Sequence, residues 1–110
     1  MATFIMLTRL SHQGLSSPSS LENLSREVTE RIRQECEGVE WKGSYVVLGP
    51  ADYVDIFEAP DNEMAVKVAT IIRTFGHATT EVWPATEWDR FTELVRYLPP
   101  APVPGPTTSA

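Results

Sequence analysis

The sequence predicts an α+β domain: one antiparallel four-stranded sheet with two helices on a single face. Three observations carry this. Two strand-like runs, residues 45–48 and 53–57, flank the short connector Gly49-Pro50-Ala51-Asp52. An apolar stripe at helical spacing lies on either side of that hairpin. A further strand-like run lies outside each helix. The resulting order, strand-helix-strand-strand-helix-strand, is that of a split βαβ arrangement.

Each element has its own local reason. Residues 3–8 put Phe4, Met6 and Thr8 on one side and Ile5 and Leu7 on the other, so both faces are apolar and the strand is expected at the centre of the sheet. A loop follows, with Gly14, Pro18 and the serines Ser11, Ser16, Ser17, Ser19 and Ser20. Leu21, Leu24, Val28, Ile32 and Cys36 then recur every three or four residues, which is one helix face. Ser19 or Ser20 is the expected cap, and Gly38 falls just past the end, where a left-handed residue is wanted.

Residues 39–48 read as the second strand and 52–58 as its hairpin partner. Gly49 supplies backbone freedom, Pro50 fixes φ, and Asp52 is expected to bond backbone two residues on. Asp61 caps a second helix whose stripe is Met64, Ala65, Val68, Ala69, Ile72 and Phe75, with Gly76 at its end. Residues 77–83 form the fourth strand, which Pro84 is expected to stop. Trp88, Phe91, Leu94 or Val95, and Leu98 predict a short third helix within 86–97. Residues 99–110 carry Pro99, Pro100, Pro102, Pro104 and Pro106, the composition of a flexible tail. The expected organisation is therefore one domain over 1–98 and a tail over 99–110.

The chain has 110 residues and a formal net charge of −6. That length suits one domain, and that charge argues against a nucleic-acid partner, which needs clustered Lys and Arg. Arg26, Arg31 and Arg33 alternate with Glu27, Glu30 and Glu35, the pattern of a solvated helix face. A single cysteine, Cys36, excludes an intramolecular disulfide or a cysteine metal cluster. Its place on the apolar stripe makes it a packed thiol rather than a nucleophile. With no apolar run long enough to cross a membrane and no signal-peptide pattern, a soluble cytoplasmic chain is expected.

Alternation along the third strand assigns its two faces. Val54 and Ile56 form the purely apolar set and are expected to meet the helices. Tyr53, Asp55 and Phe57 would then lie on the opposite face, with Phe4 or Ile5 nearby. Apolar area of that kind marks an interface, so a homodimer built sheet against sheet is expected.

Residues 42–52 (Lys-Gly-Ser-Tyr-Val-Val-Leu-Gly-Pro-Ala-Asp), 58–61 (Glu-Ala-Pro-Asp) and 75–81 (Phe-Gly-His-Ala-Thr-Thr-Glu) resemble the GYD-domain family over roughly residues 3–85. The resemblance implies a ferredoxin-like fold of the dimeric α/β-barrel type, in which the sheets of two small chains pair into a barrel. The family's Gly-Tyr-Asp element places Tyr before Asp, whereas this chain reads Gly49-Pro50-Ala51-Asp52. No activity comes with the resemblance.

Among single residues, Asp55 stands out as a carboxylate in mid-strand, suited to acid–base work if buried; the plainer reading pairs it with a base or hydroxyl across the sheet. His77 beside Glu81 is a second catalytic candidate, against a strand-end imidazole bonded to backbone. Neighbouring first and fourth strands would bring His12 toward His77, a weak metal pair. Tyr53, Phe57, Glu81 and Trp83 are candidate ligand contacts. Trp41, Trp83, Trp88, Tyr45 and Phe91 either line an apolar pocket or fill a core. No catalytic triad, phosphate loop or dinucleotide fingerprint is present.

The reading that follows is a homodimeric module that binds a small apolar molecule or serves in an assembly. The alternative is a cofactor-independent enzyme, a monooxygenase or isomerase of the kind known among dimeric α/β barrels. Asp55, His77, Tyr53 and Glu81 would carry it, on fold analogy alone. No cofactor is specified by the residues.

Overall fold

The computed structural model describes residues 1–11, 18–75 and 78–102. Seven elements follow one another: β1 (Ala2–Leu10), α1 (Pro18–Glu35), β2 (Glu40–Val46), β3 (Tyr53–Ala59), α2 (Asn62–Thr74), β4 (Ala78–Ala85) and α3 (Trp88–Val95). The sheet order is β2-β3-β1-β4, with every neighbouring pair antiparallel. This is a ferredoxin-like α+β fold, and β1 occupies a central position as its two apolar faces require.

Several boundaries differ from expectation for local reasons. Helix α1 starts at Pro18, so Ser19 and Ser20 lie inside the helix rather than capping it. Proline suits a first helical turn, where its missing N–H costs nothing. Strand β4 does not stop at Pro84: it runs through to Ala85, with Pro84 opposite Phe4. Because β4 is an edge strand, a residue without an N–H is tolerated there. Gly76, His77, His12 and the tail from 103 onward lie outside the described residues.

Other signals hold. Asp61 Oδ1 accepts from the Met64 amide at 2.9 Å, the expected cap of α2. Gly38 has φ +86°, and a Cβ there would meet Pro60 Cγ at 3.1 Å. Lys67 on α2 donates to the carbonyl of Glu35 at 2.6 Å, tying the end of α1 to its neighbour helix.

The core sits between β1, β3 and α2, where Phe4, Met6, Phe57, Ala59, Ala65 and Val68 are buried, with Ile32 and Cys36 added from the end of α1. Three rings form a ladder across the sheet. Trp41 stacks on Phe57 with centroids 5.2 Å apart, and Phe57 on Phe4 at 5.6 Å. Such pairs add to the stabilisation from burial alone.

This core reverses the face assignment of β3. Phe57 is wholly buried against Phe4 under the helices, and Tyr53 and Asp55 share its side. Val54 and Ile56 lie on the opposite face with Ile5 and Leu7. Alternation says which residues share a face; it does not say which face the helices cover. Register adds that Phe4, Met6 and Thr8 of β1 share a side with Phe57, Asp55 and Tyr53, and the burial of Phe4, Met6 and Phe57 with Ala65 and Val68 of α2 makes that the helix side. An apolar, helix-free face therefore exists, made of residues other than those expected.

Candidate functional site

A cavity of about 550 Å³ opens between α1 and the β2–β3 half of the sheet. Its existence follows from how α1 packs. Only Ile32 and Cys36, at the C-terminal end of the stripe, are buried; Leu21, Leu24 and Val28 are half-exposed and line the cavity. Ile72 and Phe75 of α2 close another side. The apolar stripe that predicted a helix thus becomes, over its first half, a cavity wall.

The sheet supplies the polar floor. A register shift between Trp41 and Gly43 in β2 re-aims the strand, so that Ser44 falls opposite Asp55 and Val46 opposite Tyr53. Such a bulge adds a residue and turns the following side chains. Trp41 Nε1 donates to Ser44 Oγ at 2.7 Å and reaches Asp55 Oδ1 at 3.3 Å. Burial pushes the Asp55 carboxyl above the usual carboxylate range, and the hydrogen bonds from Ser44 and Trp41 offset part of that rise. No ion pair involves Asp55 among the described residues. The guanidinium that also lines the cavity, Arg33, is bonded to Glu30.

Of the candidates read from sequence, Asp55 and Tyr53 come together in this cavity, with Trp41 beside them. Phe57 serves the core instead. Glu81 and Trp83 lie on the opposite face, opposite Leu7 and Ile5, and Trp83 Nε1 donates to Glu81 Oε1 at 3.4 Å. Trp88 and Phe91 pack against each other on α3, away from the cavity. Glu81 therefore cannot join Asp55 in one site within a single chain. Both histidines fall outside the described residues. Among the described residues no cluster of His, Cys, Asp or Glu could hold a metal. Burial raises the Cys36 thiol, in keeping with a packed, unreactive group.

Ser44 escaped sequence reasoning. Its role depends on the register shift, which no residue pattern signals beyond the lone Gly43 beside it. Arg73 was missed as well: it donates through Nε to Thr80 Oγ1 at 2.8 Å and also bonds the Thr80 carbonyl, fixing α2 to β4.

An open-faced sheet, two helices behind it and a cavity under α1 describe a small ferredoxin-like module rather than a recognisable active site. The chain belongs to the GYD-domain family, whose profile matches residues 4–95 and so runs through α3. It is 32% identical over 77 residues to a Thermus thermophilus protein named glutamine synthetase and cystathionine beta-lyase binding protein, covering 70% of this chain and 74% of that one. In structure it resembles FFRP-DM1, at a TM-score of 0.51 and 23% identity, over 78% of this chain and all of the other. The latter supports the fold alone. No helix among the described residues is long and apolar enough to cross a membrane.

Proposed function

We propose that the chain is a homodimeric binding module whose sheet faces pair and whose outer surface docks on another protein. The observation that carries this is the helix-free face. Ile5, Leu7, Val54 and Ile56 stand together there, flanked by Trp83 and Tyr45 at 50% and 59% exposure. Contiguous apolar surface of this kind is the usual mark of an interface. Helix α3 supports the second half of the reading. It buries none of its residues and leaves Trp88 73% and Phe91 43% exposed, and aromatic side chains are enriched where proteins meet. The Thermus relative's name, that of a protein that binds two enzymes, points the same way. In this reading residues 1–98 are the working unit and 99–110 an appended segment.

The binding reading is favoured over an enzyme because, among the described residues, Asp55 is the one carboxylate lining the cavity, Glu81 being on the other face. Light scattering at micromolar concentration tests it. The wild type should run at twice 12.3 kDa, and Ile56→Asp, which places a charge in the paired face, should run at the monomer mass while keeping its circular dichroism. A wild type of monomer mass refutes the dimer.

A further inference from the structure

Among the described residues, the cavity under α1 contains one charged group without a charged partner. Asp55 lines it together with Leu21, Leu24, Val28 and Phe75, and among the described residues receives only neutral donors, Trp41 Nε1 at 3.3 Å and the Ser44 hydroxyl. The nearest guanidinium on the lining, Arg33, is committed to Glu30. The hydrogen bonds of Asp55 come from neutral groups, and partly buried charges are ordinarily paired, which leaves room for a cationic partner. A volume of about 550 Å³ falls within the range of small-molecule sites, roughly 300–1,000 Å³, and so does a mostly apolar wall with few polar groups. Two aromatic residues stand beside the carboxylate: Trp41 across the strand pair, and Tyr53 two residues away on the same face. Trp41 turns its indole N–H edge to the carboxylate and stacks one face on Phe57; aromatic rings near a carboxylate are a common setting for organic cations.

We propose that this cavity binds a small organic ammonium: an apolar body against Leu21, Leu24 and Val28, with its amine on Asp55 beside Trp41 and Tyr53. This goes beyond the binding module inferred above: the cavity lies on the helix side of the sheet, away from the face proposed to pair. Asp55 acts here as a counter-ion, and no bond is made or broken. Ser44 and Trp41 position the carboxylate, and Arg33 stays outside the recognition because Glu30 holds it.

Calorimetry on the full chain tests the proposal with three probes of one shape: 4-phenylbutylamine, 4-phenylbutanol and 4-phenylbutyrate. The amine should bind at least about tenfold tighter than the alcohol, the scale of one charge-assisted hydrogen bond, and the carboxylate should bind weakest. Asp55→Asn should bring the amine down to the level of the alcohol. Leu24→Trp, which fills the cavity from the α1 side at a half-exposed position and leaves Asp55 intact, should remove binding of both, so the test stands even if Asp55→Asn does not fold. Equal affinity for amine and alcohol, or an amine affinity unchanged in Asp55→Asn, overturns the proposal. Light scattering on the same samples separates the two readings. A dimer indifferent to the amine overturns the ligand assignment alone. A monomer that binds the amine through Asp55 upholds the ligand and overturns the dimer.

Discussion

Asp52 and Leu10, distant in sequence, are joined by a 2.7 Å hydrogen bond from the Leu10 amide to the Asp52 carboxylate. The Asp52 amide returns to the Thr8 carbonyl at 2.8 Å, and Arg9 donates to the Pro50 carbonyl at 2.5 Å. The hairpin turn is thus fastened to the end of β1 as well as closed on itself, the Val47 amide donating to the Asp52 carbonyl at 2.9 Å. Asp52→Ala should lower stability by about 1.5–3 kcal/mol, the range for a hydrogen bond to a charged group, and Asp52→Asn by less. Urea unfolding checks this; an unchanged midpoint for Asp52→Ala would mean the bond contributes nothing.

Asp55 should make stability depend on pH with a defined sign. Burial lifts its folded pKa above the unfolded value near 3.9. The native state then holds the proton longer than the unfolded chain, so ionisation costs native stability as pH rises through the folded pKa. Among the described residues the other titratable groups on the lining are Arg33, Cys36, Tyr45 and Tyr53, and Arg33 is already paired. Asp55→Asn should therefore melt above the wild type at pH 7. That advantage should shrink on acidification and vanish below about pH 3.9. Thermal melts across this range decide it, and a variant less stable than wild type at pH 7 contradicts it.

The reversed faces of β3 predict opposite costs for neighbouring residues. Phe57→Ala empties a site between Phe4 and Trp41 and should cost about 3–5 kcal/mol. Val54→Ala, on the helix-free face, should cost clearly less at concentrations where chains are separate, and should weaken self-association instead. Equilibrium unfolding and light scattering on the two variants separate these effects; equal unfolding costs would argue against the assignment.

Gly38 carries the left-handed turn between α1 and β2. Gly38→Ala should destabilise by about 1–2 kcal/mol from backbone conformation, with a further contribution from the 3.1 Å approach to Pro60 Cγ. Asn tolerates this region better than Ala, so Gly38→Asn should recover part of the loss. Differential scanning calorimetry on both variants gives the comparison.

Much of the fold was legible because its signals are local. The Asp61 cap, the positive φ at Gly38 and the stripe from Met64 to Phe75 each depend on residues a few positions apart. The site was less legible. Asp55 was noticed for its oddness in mid-strand, yet its surroundings were assigned to the wrong face. The pairing of Ser44 with Asp55 depends on the register shift in β2, a relation between two strands that neither strand's pattern contains.

By itself the chain determined the order of elements, the central place of β1 and the existence of an uncovered apolar face, since these follow from periodicity, capping and composition. Tertiary structure alone decided which face the helices cover and where α1 leaves a cavity. The reason is physical. Alternation divides a strand's side chains into two sets but carries no direction, and helix spacing marks an apolar stripe without saying how closely it seats. The packing of Ala65 and Val68 of α2 on Phe4, Met6 and Phe57 supplied the direction. Ile32 and Cys36 are buried in the core and Val28 packs against it, while Leu21 and Leu24 are left to line the cavity that also holds Asp55.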